Sequence, residues 1–429
     1  MKPINFAYDG IVSYNQPTWR WHINSYDNKF YPMNGIFEEC YYDYHAPLQT
    51  VLEKNNISTN TITMHEALCT TEPFVYVLTF RYLGNTVRNN HARNGVKGIP
   101  DNYNFFEHLP IGLINAVNSG QCLLILNDAH ESGYYSPEFY DLLKDKLTKA
   151  TIQFENVVLL SGNMSNNITD DDIKVIIWQY FETAMRMTTK SLSNNRDKNN
   201  TTLKKFLCLN RIPREIRYYF MYQIYNKKLL SDFNASLKDV STIDEIISYN
   251  NNEFMDKIKN NDDFKDMLNS LPWVIDTPDF KSNHWDNIEY DFKASNLIFI
   301  TTETLFSSDS SNLFLTEKTF KPLALGMPFI IIGNPYILKR LRSLGYKTFD
   351  TLWDESYDEE FDCHKRMEKI VKLVEDISTK YTTEQLFDLI EQNKYILEHN
   401  YNLLMSRRPE QAVIDYIKEK YASSNDWLR

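Results

Sequence analysis

Thr301–Pro335, TTETLFSSDSSNLFLTEKTFKPLALGMPFIIIGNP, is the stretch that decides the fold class of this chain. It continues the apolar run Leu297–Thr301 and closes on a second, Pro328–Gly333. Short runs that are apolar throughout read as strands buried on both faces, the pattern of a parallel sheet. Between them Ser307–Asn312 is a polar loop and Glu317–Gly326 has helical character. A strand, a helix and a second strand form the unit that joins parallel neighbours.

The same alternation is found on either side. Upstream, Phe206–Leu209 reads as a strand, followed by a helix from Pro213 to Lys228 with Pro213 at its first position. In the first half, Phe74–Tyr82, Cys122–Leu126 and Val157–Ser161 read as buried strands. Asp170–Met187, capped by Thr169, carries apolar residues at 173, 176, 177, 180 and 184 and reads as a helix. Thr188–Lys205 has almost no apolar residue and reads as a linker. After Asp362 the chain is helical, over His364–Ile377, Thr383–His399 and Pro409–Tyr421. The expected organisation is a first α/β domain over residues 1–200, a second over 201–405, and a C-terminal helix over 406–429. Ligands of doubly wound sheets sit beyond the carboxyl ends of the strands, here expected in a cleft between the halves.

Composition narrows the function classes. The net charge of −11 argues against a general nucleic-acid binder, which needs a basic surface to neutralise phosphates. Tyr and Phe, at 28 and 25 residues, suffice to fill a core or to line a sugar site. No apolar run approaches the roughly 18 residues that cross a bilayer, and the N-terminus lacks a signal-peptide core. Cys40, Cys69, Cys122, Cys208 and Cys363 are widely spaced, as reduced buried thiols would be. These features predict a cytoplasmic protein without a membrane span.

Three constellations carry chemistry. At the expected start of the helix after the Ser-rich loop, Thr316, Glu317 and Lys318 combine backbone N–H donors, a carboxylate and a compact cation; Glu303 ends the preceding strand. Such a set suits a nucleoside diphosphate, the cation and helix start for phosphate and the carboxylate for ribose hydroxyls. The spacing fits a solvated first-turn ion pair equally well. Pro322 forbids one helical hydrogen bond, so a start near Phe320, or a kink, is expected. In FLCLNRIPREIR, Phe206–Arg217, a strand ends at Asn210 and delivers Arg211, Arg214 and Arg217. Guanidinium forks at a strand end suit phosphate oxygens, whereas Arg217 fits a solvated ion pair equally well. In LLILNDAHESGYY, Leu123–Tyr135, a strand runs into Asp128, His130 and Glu131, any of which could act as a general base. The alternative is a polar loop with Asp128 capping a turn. Asn163 in the next strand-end turn is a candidate acceptor contact, and Asp170–Asp172 reads as acids at a helix start rather than a metal site.

The run FLTEKTFKPLALGMPFIIIGNP resembles the C-terminal signature of the α-1,3-fucosyltransferase family and of related virus- and bacterium-encoded glycosyltransferases. In that family the Glu and Lys contact the sugar-nucleotide donor, which the resemblance implies for Glu317 and Lys318. An upstream carboxylate, here Glu303, is part of it, although the family's Phe-Glu-Asn-Ser form is absent, leaving sugar and nucleotide open. The strand–Asn–Arg–Pro–Arg run at Asn210–Arg214 and the continuation GNPYILKRLRSLGYKTFDTLWDESYD look like the phage-type members. The resemblance covers about a quarter of the chain and favours Glu131, then Asp128, over His130, because a carboxylate base is usual in similar enzymes.

The reading is therefore a GT-B-like α/β protein, two Rossmann-like doubly wound domains facing a central cleft. It implies a glycosyltransferase that moves a sugar from a nucleotide-sugar donor to a hydroxyl acceptor, inverting and without a metal. Donor residues are Asn210, Arg211, Arg214, Glu303, Thr316, Glu317 and Lys318. The acceptor is a glycan or, alternatively, a hydroxymethylated base in phage DNA. A non-catalytic sugar-binding or scaffold protein with a transferase-like fold is the rival class.

Overall fold

A computed structural model describes residues 2–8, 22–23, 30–31, 48–79, 104–129, 137–164, 170–189, 200, 202–246, 254–275 and 290–426. The chain divides into two compact units. Unit 1 comprises residues 1–183 together with 408–429, and unit 2 comprises residues 184–407. The division falls inside the Tyr180–Thr188 helix, ahead of the polar stretch that reads as a linker, much of which lies outside the described residues.

Unit 1 holds strands β1 (Ile4–Tyr8), β2 (His22–Ile23), β3 (Phe30–Tyr31), β4 (Thr59–Thr63), β5 (Phe74–Thr79), β6 (Cys122–Asp128), β7 (Val157–Ser161) and β8 (Lys174–Ile177). Six of them form a sheet in the order β4-β1-β5-β6-β7-β8, parallel throughout; β2 and β3 pair antiparallel. Central β6 and β7 are buried along their whole length, whereas edge strands β4 and β8 are mixed. Phe74, Tyr76 and Leu78 of β5 share a core cluster with Leu124 and Leu126 of β6. Against them pack Leu113 and Val117 of the Ile111–Asn118 helix and Phe139, Leu143 and Leu147 of the Pro137–Lys149 helix. Each fully buried side chain of this size stabilises by about 1.5–3 kcal/mol relative to exposure.

One expectation is corrected here. Asp170–Met187 is not one helix: Asp170 Oδ1 accepts from Asp172 N at 3.0 Å and Ile173 N at 2.8 Å, β8 follows, and the helix starts at Tyr180. Asp170 and Asp172 share Lys144 at 3.1 Å each, an ion-paired turn and not a helix start. The C-terminal helix, Gln411–Asp426, is part of unit 1. It buries Val413, Ile414, Ile417 and Tyr421, and the Tyr421 hydroxyl donates to Pro3 O and accepts from Asn5 N at 3.2 Å. Glu410, fully buried just ahead of it, accepts from Thr183 Oγ1 at 3.1 Å and Asn55 Nδ2 at 3.3 Å.

Unit 2 is built on β9 (Lys204–Asn210), β10 (Phe233–Leu237), β11 (Asn296–Thr302) and β12 (Phe329–Ile332). All are parallel, in the order β10-β9-β11-β12. From β9 the chain steps to β10 on one side, then returns past β9 to β11 and β12 on the other. The strand order therefore reverses between β9 and β11, the topological switch point where such sheets open a crevice. The expected helix at Thr383–His399 is two helices, Thr383–Gln392 and Lys394–Ser406, meeting at Asn393.

Candidate functional site

The Glu317–Leu325 helix starts three residues before the position expected from Pro322. Its N-cap is Thr316, whose Oγ1 accepts from Lys318 N at 3.3 Å. Pro322 has no N–H for the Lys318 carbonyl four residues back, and that carbonyl accepts instead from Thr301 Oγ1 of β11 at 3.1 Å. The missing bond is replaced and the proline is tolerated. Gly326, with φ 61°, ends the helix in the left-handed conformation that glycine adopts without strain.

Glu303, 1% exposed, follows β11 and grips this helix start. Its Oε1 accepts from Thr316 N at 3.1 Å and Thr319 Oγ1 at 2.6 Å. Its Oε2 accepts from Thr304 N at 3.1 Å and Thr316 Oγ1 at 2.7 Å. Both oxygens are engaged within the chain, and Glu303 positions the helix that carries Glu317 and Lys318. Gly333 at the end of β12 allows the approach, because a Cβ there would lie 3.3 Å from Glu303 Cβ and 2.4 Å from Ile337 Cδ1.

Lys318 Nζ lies 2.6 Å from Glu317 Oε1 and 3.2 Å from Thr316 Oγ1. Both members of the pair are partly covered, at 25% and 13% side-chain exposure, so it is neither solvated nor sealed. Burial pushes the Glu317 carboxyl pKa up, but Lys318 and then Lys321 more than offset it and hold the group below the usual carboxylate range. The pair offers a carboxylate that stays ionised and a cation within reach of water.

On the other lip, β9 ends at Asn210, 2% exposed, whose Oδ1 accepts from Thr302 Oγ1 at 2.7 Å and whose N–H donates to Ser236 Oγ at 3.1 Å. Asn210 thus ties β9 to β10 and β11. Arg211 is exposed. Arg214 is the N-cap of the Glu215–Asn226 helix with extended backbone, so it does not share a helix face with Arg217, and Pro213 precedes the helix. Arg214 Nη1 donates to Thr304 O at 2.8 Å, reaching from β9 to β11. Arg217 is 2% exposed, which removes the solvated-pair reading. It donates to Ile212 O at 2.9 Å and to Thr302 O at 3.5 Å. Burial pulls its pKa down to about 9; Arg214 adds repulsion, and Glu317 and Glu303 oppose the shift. The guanidinium is therefore still charged at neutral pH.

The Ser-rich loop after Phe306 is held rigidly. Asn334 Oδ1 accepts from Ser307 N at 2.7 Å, and its Nδ2 donates to Asn312 O at 2.8 Å and Asp309 O at 3.2 Å. Arg366, 1% exposed, donates to Ser307 O at 2.7 Å and packs 4.2 Å from the Phe306 ring centroid. Sequence reasoning missed both anchors. The Gly-Asn-Pro turn signals Asn334, whereas Arg366 inside an amphipathic helix carries no local signal.

In unit 1, Asp128 and Asn163 are each 1% exposed, and Asp128 stands opposite Ser161 in the β6–β7 register. His130 and Glu131 lie outside the described residues. No group of three or more His, Cys, Asp or Glu able to hold a metal is found among the described residues, nor a helix long and apolar enough to cross a membrane. Cys122 and Cys208 are buried and free as expected; Cys69 is exposed and Cys363 partly so.

Fold and site together define an α/β protein with two parallel sheets whose second unit bears, where its strand order reverses, the exposed Arg211 and the partly covered Lys318 at a helix start, an arrangement chemically suited to an anionic group. No protein-family model matches the chain, and no curated protein matches it.

Proposed function

We propose that unit 2 binds a nucleotide-sugar donor and that the protein is a glycosyltransferase of GT-B-like class, with unit 2 as the donor side and unit 1 as the acceptor side. The observation that supports this reading best is the reversal of strand order between β9 and β11. The carboxyl ends of these strands lead to Arg211 and Arg214 on one side and, through Glu303, to the Thr316–Lys318 helix start on the other. Lys318 and the arginines meet the diphosphate; Glu317, held ionised, accepts from the ribose hydroxyls. The acceptor hydroxyl attacks the anomeric carbon as the nucleoside diphosphate leaves with the bonding electrons. A carboxylate takes the proton, for which the sequence offers Glu131 and then Asp128. Cations fixed before reaction stabilise the charge that develops on the leaving group. A glycan is the proposed acceptor, given the acidic chain.

The test is thermal unfolding of the full chain with UDP-, GDP-, ADP- and CMP-sugars. A ligand at 100 times its dissociation constant adds about 2.7 kcal/mol of stability. One nucleotide raises Tm for the wild type and fails to do so for Lys318→Ala. A flat response to every nucleotide sinks the proposal.

A further inference from the structure

We infer that Phe361, backed by Tyr336 and set beside the Ser307–Asn312 loop, is the platform on which the base of a bound nucleoside diphosphate stacks; this rests on the nucleotide reading above. Phe361 is among the few large apolar side chains left exposed, at 42%. It meets Tyr336 edge to face, ring centroids 5.3 Å apart at 85°. Tyr336 follows β12 with φ 68°, a left-handed backbone that an aromatic residue rarely adopts. That conformation is held by its N–H donating to Asp358 O at 2.7 Å, and it sets the ring against Phe361. Lys339 Nζ lies 4.7 Å from the Tyr336 ring centroid, so Tyr336 is already flanked and Phe361 supplies the open face.

The pair is continuous with the candidate site. One guanidinium, Arg366, donates to Phe361 O at 3.3 Å and to Ser307 O at 2.7 Å, so the platform and the loop after β11 are locked together. That loop leads directly into Thr316–Lys318, where the phosphates are proposed to sit. A flat apolar face tied through Arg366 to a polar loop that runs on to a cationic helix start matches a heterocycle joined to a diphosphate. Stacking recognises any base; the loop's serines and backbone groups supply the edge contacts that choose among them.

The test compares the full-length wild type, Phe361→Ala and Phe361→Trp by titration calorimetry with UDP, GDP, ADP and CDP, and with inorganic pyrophosphate. Phe361→Ala weakens the preferred nucleoside diphosphate by roughly 5- to 150-fold, Phe361→Trp restores it, and pyrophosphate affinity is unchanged in all three. Equal nucleotide affinity in Phe361→Ala and the wild type, with loss in Lys318→Ala, overturns the platform and leaves the donor site standing. Absence of nucleotide binding by the wild type overturns both.

Discussion

Replacing Glu303 by Gln removes one charge and almost no volume, and its consequence can be worked from the four bonds this carboxylate accepts. Each oxygen takes one backbone N–H, at 3.1 Å in both cases, and one threonine hydroxyl, at 2.6 and 2.7 Å. In the amide, one oxygen remains and an NH2 group faces the other pair. The hydroxyl of that pair can turn to accept, but the backbone N–H cannot. One buried donor is orphaned, at about 1–3 kcal/mol, and the retained bonds lose their charge assistance, roughly 1 kcal/mol each. The loss also removes an anion that favours the buried Arg217 cation. A total of about 3–5 kcal/mol follows, which for a unit of this size lowers Tm by roughly 10 °C. The assay is urea unfolding followed by hydrogen exchange in peptides covering 304–326, because a two-unit chain need not unfold in one step. Faster exchange confined to that segment is expected. Unchanged stability, within about 0.5 kcal/mol, together with weakened nucleotide binding would refute the reasoning and return Glu303 to the ligand-contact role its sequence position suggested.

Lys318→Ala is expected to depress turnover roughly 100-fold or more by removing leaving-group stabilisation, while Tm in the absence of ligand moves little, since partly exposed pairs contribute about 0–1 kcal/mol. Arg342→Met tests a second cluster: Arg342 lies 3.0 Å from Glu355 and 3.9 Å from Asp358, both carboxyls nearly sealed from solvent. Burial raises the pKa of each above its ordinary value, so their ionisation costs stability at neutral pH and the cost disappears as pH falls through the raised values. The variant should therefore lose about 1–2 kcal/mol near pH 7, after discounting for the half-exposed guanidinium, and the gap should narrow on acidification; a pH-independent gap in urea unfolding would show that charge is not the cause. Gly333→Ala drives a Cβ against Ile337 Cδ1 at 2.4 Å and is expected to cost about 1–3 kcal/mol. Adding Ile337→Val, which deletes that methyl, should recover part of it; strictly additive losses in a double-mutant cycle would disprove the contact.

The strands with an unbroken apolar run, β5, β6, β7, β9, β11 and β12, were legible from sequence, because burial on two faces leaves that signal. Edge strands β4 (TNTIT) and β8 (KVII) were not, since one side of each is unpaired and polar residues are tolerated there. The apolar spacing at 173, 176, 177, 180 and 184 satisfies a helical period, yet Lys174–Ile177 pairs with β7, and only sheet pairing decides between the two. At the candidate site, the residue types were readable but their partners were not. Glu303 and Asn210 look like ligand groups in sequence and are consumed by contacts with threonines and a serine distant along the chain. For Arg217 the sequence left a phosphate contact and a solvated pair equally open, and its burial, which excludes the second, has no local signal. Trp353–Asp362, rich in acids and aromatics, buries Tyr357 and uses Asp358 to accept from Leu338 N and Lys339 N at 2.8 and 2.9 Å.

A nucleoside diphosphate is proposed to bind unit 2 where β9 and β11 part. Hydrogen–deuterium exchange of the full chain, with and without the nucleotide that most raises Tm, tests it most directly. Protection is expected to concentrate in peptides covering 210–217 and 304–320 and to be absent in Lys318→Ala. Protection elsewhere in the chain, or the same protection in the variant, would contradict it.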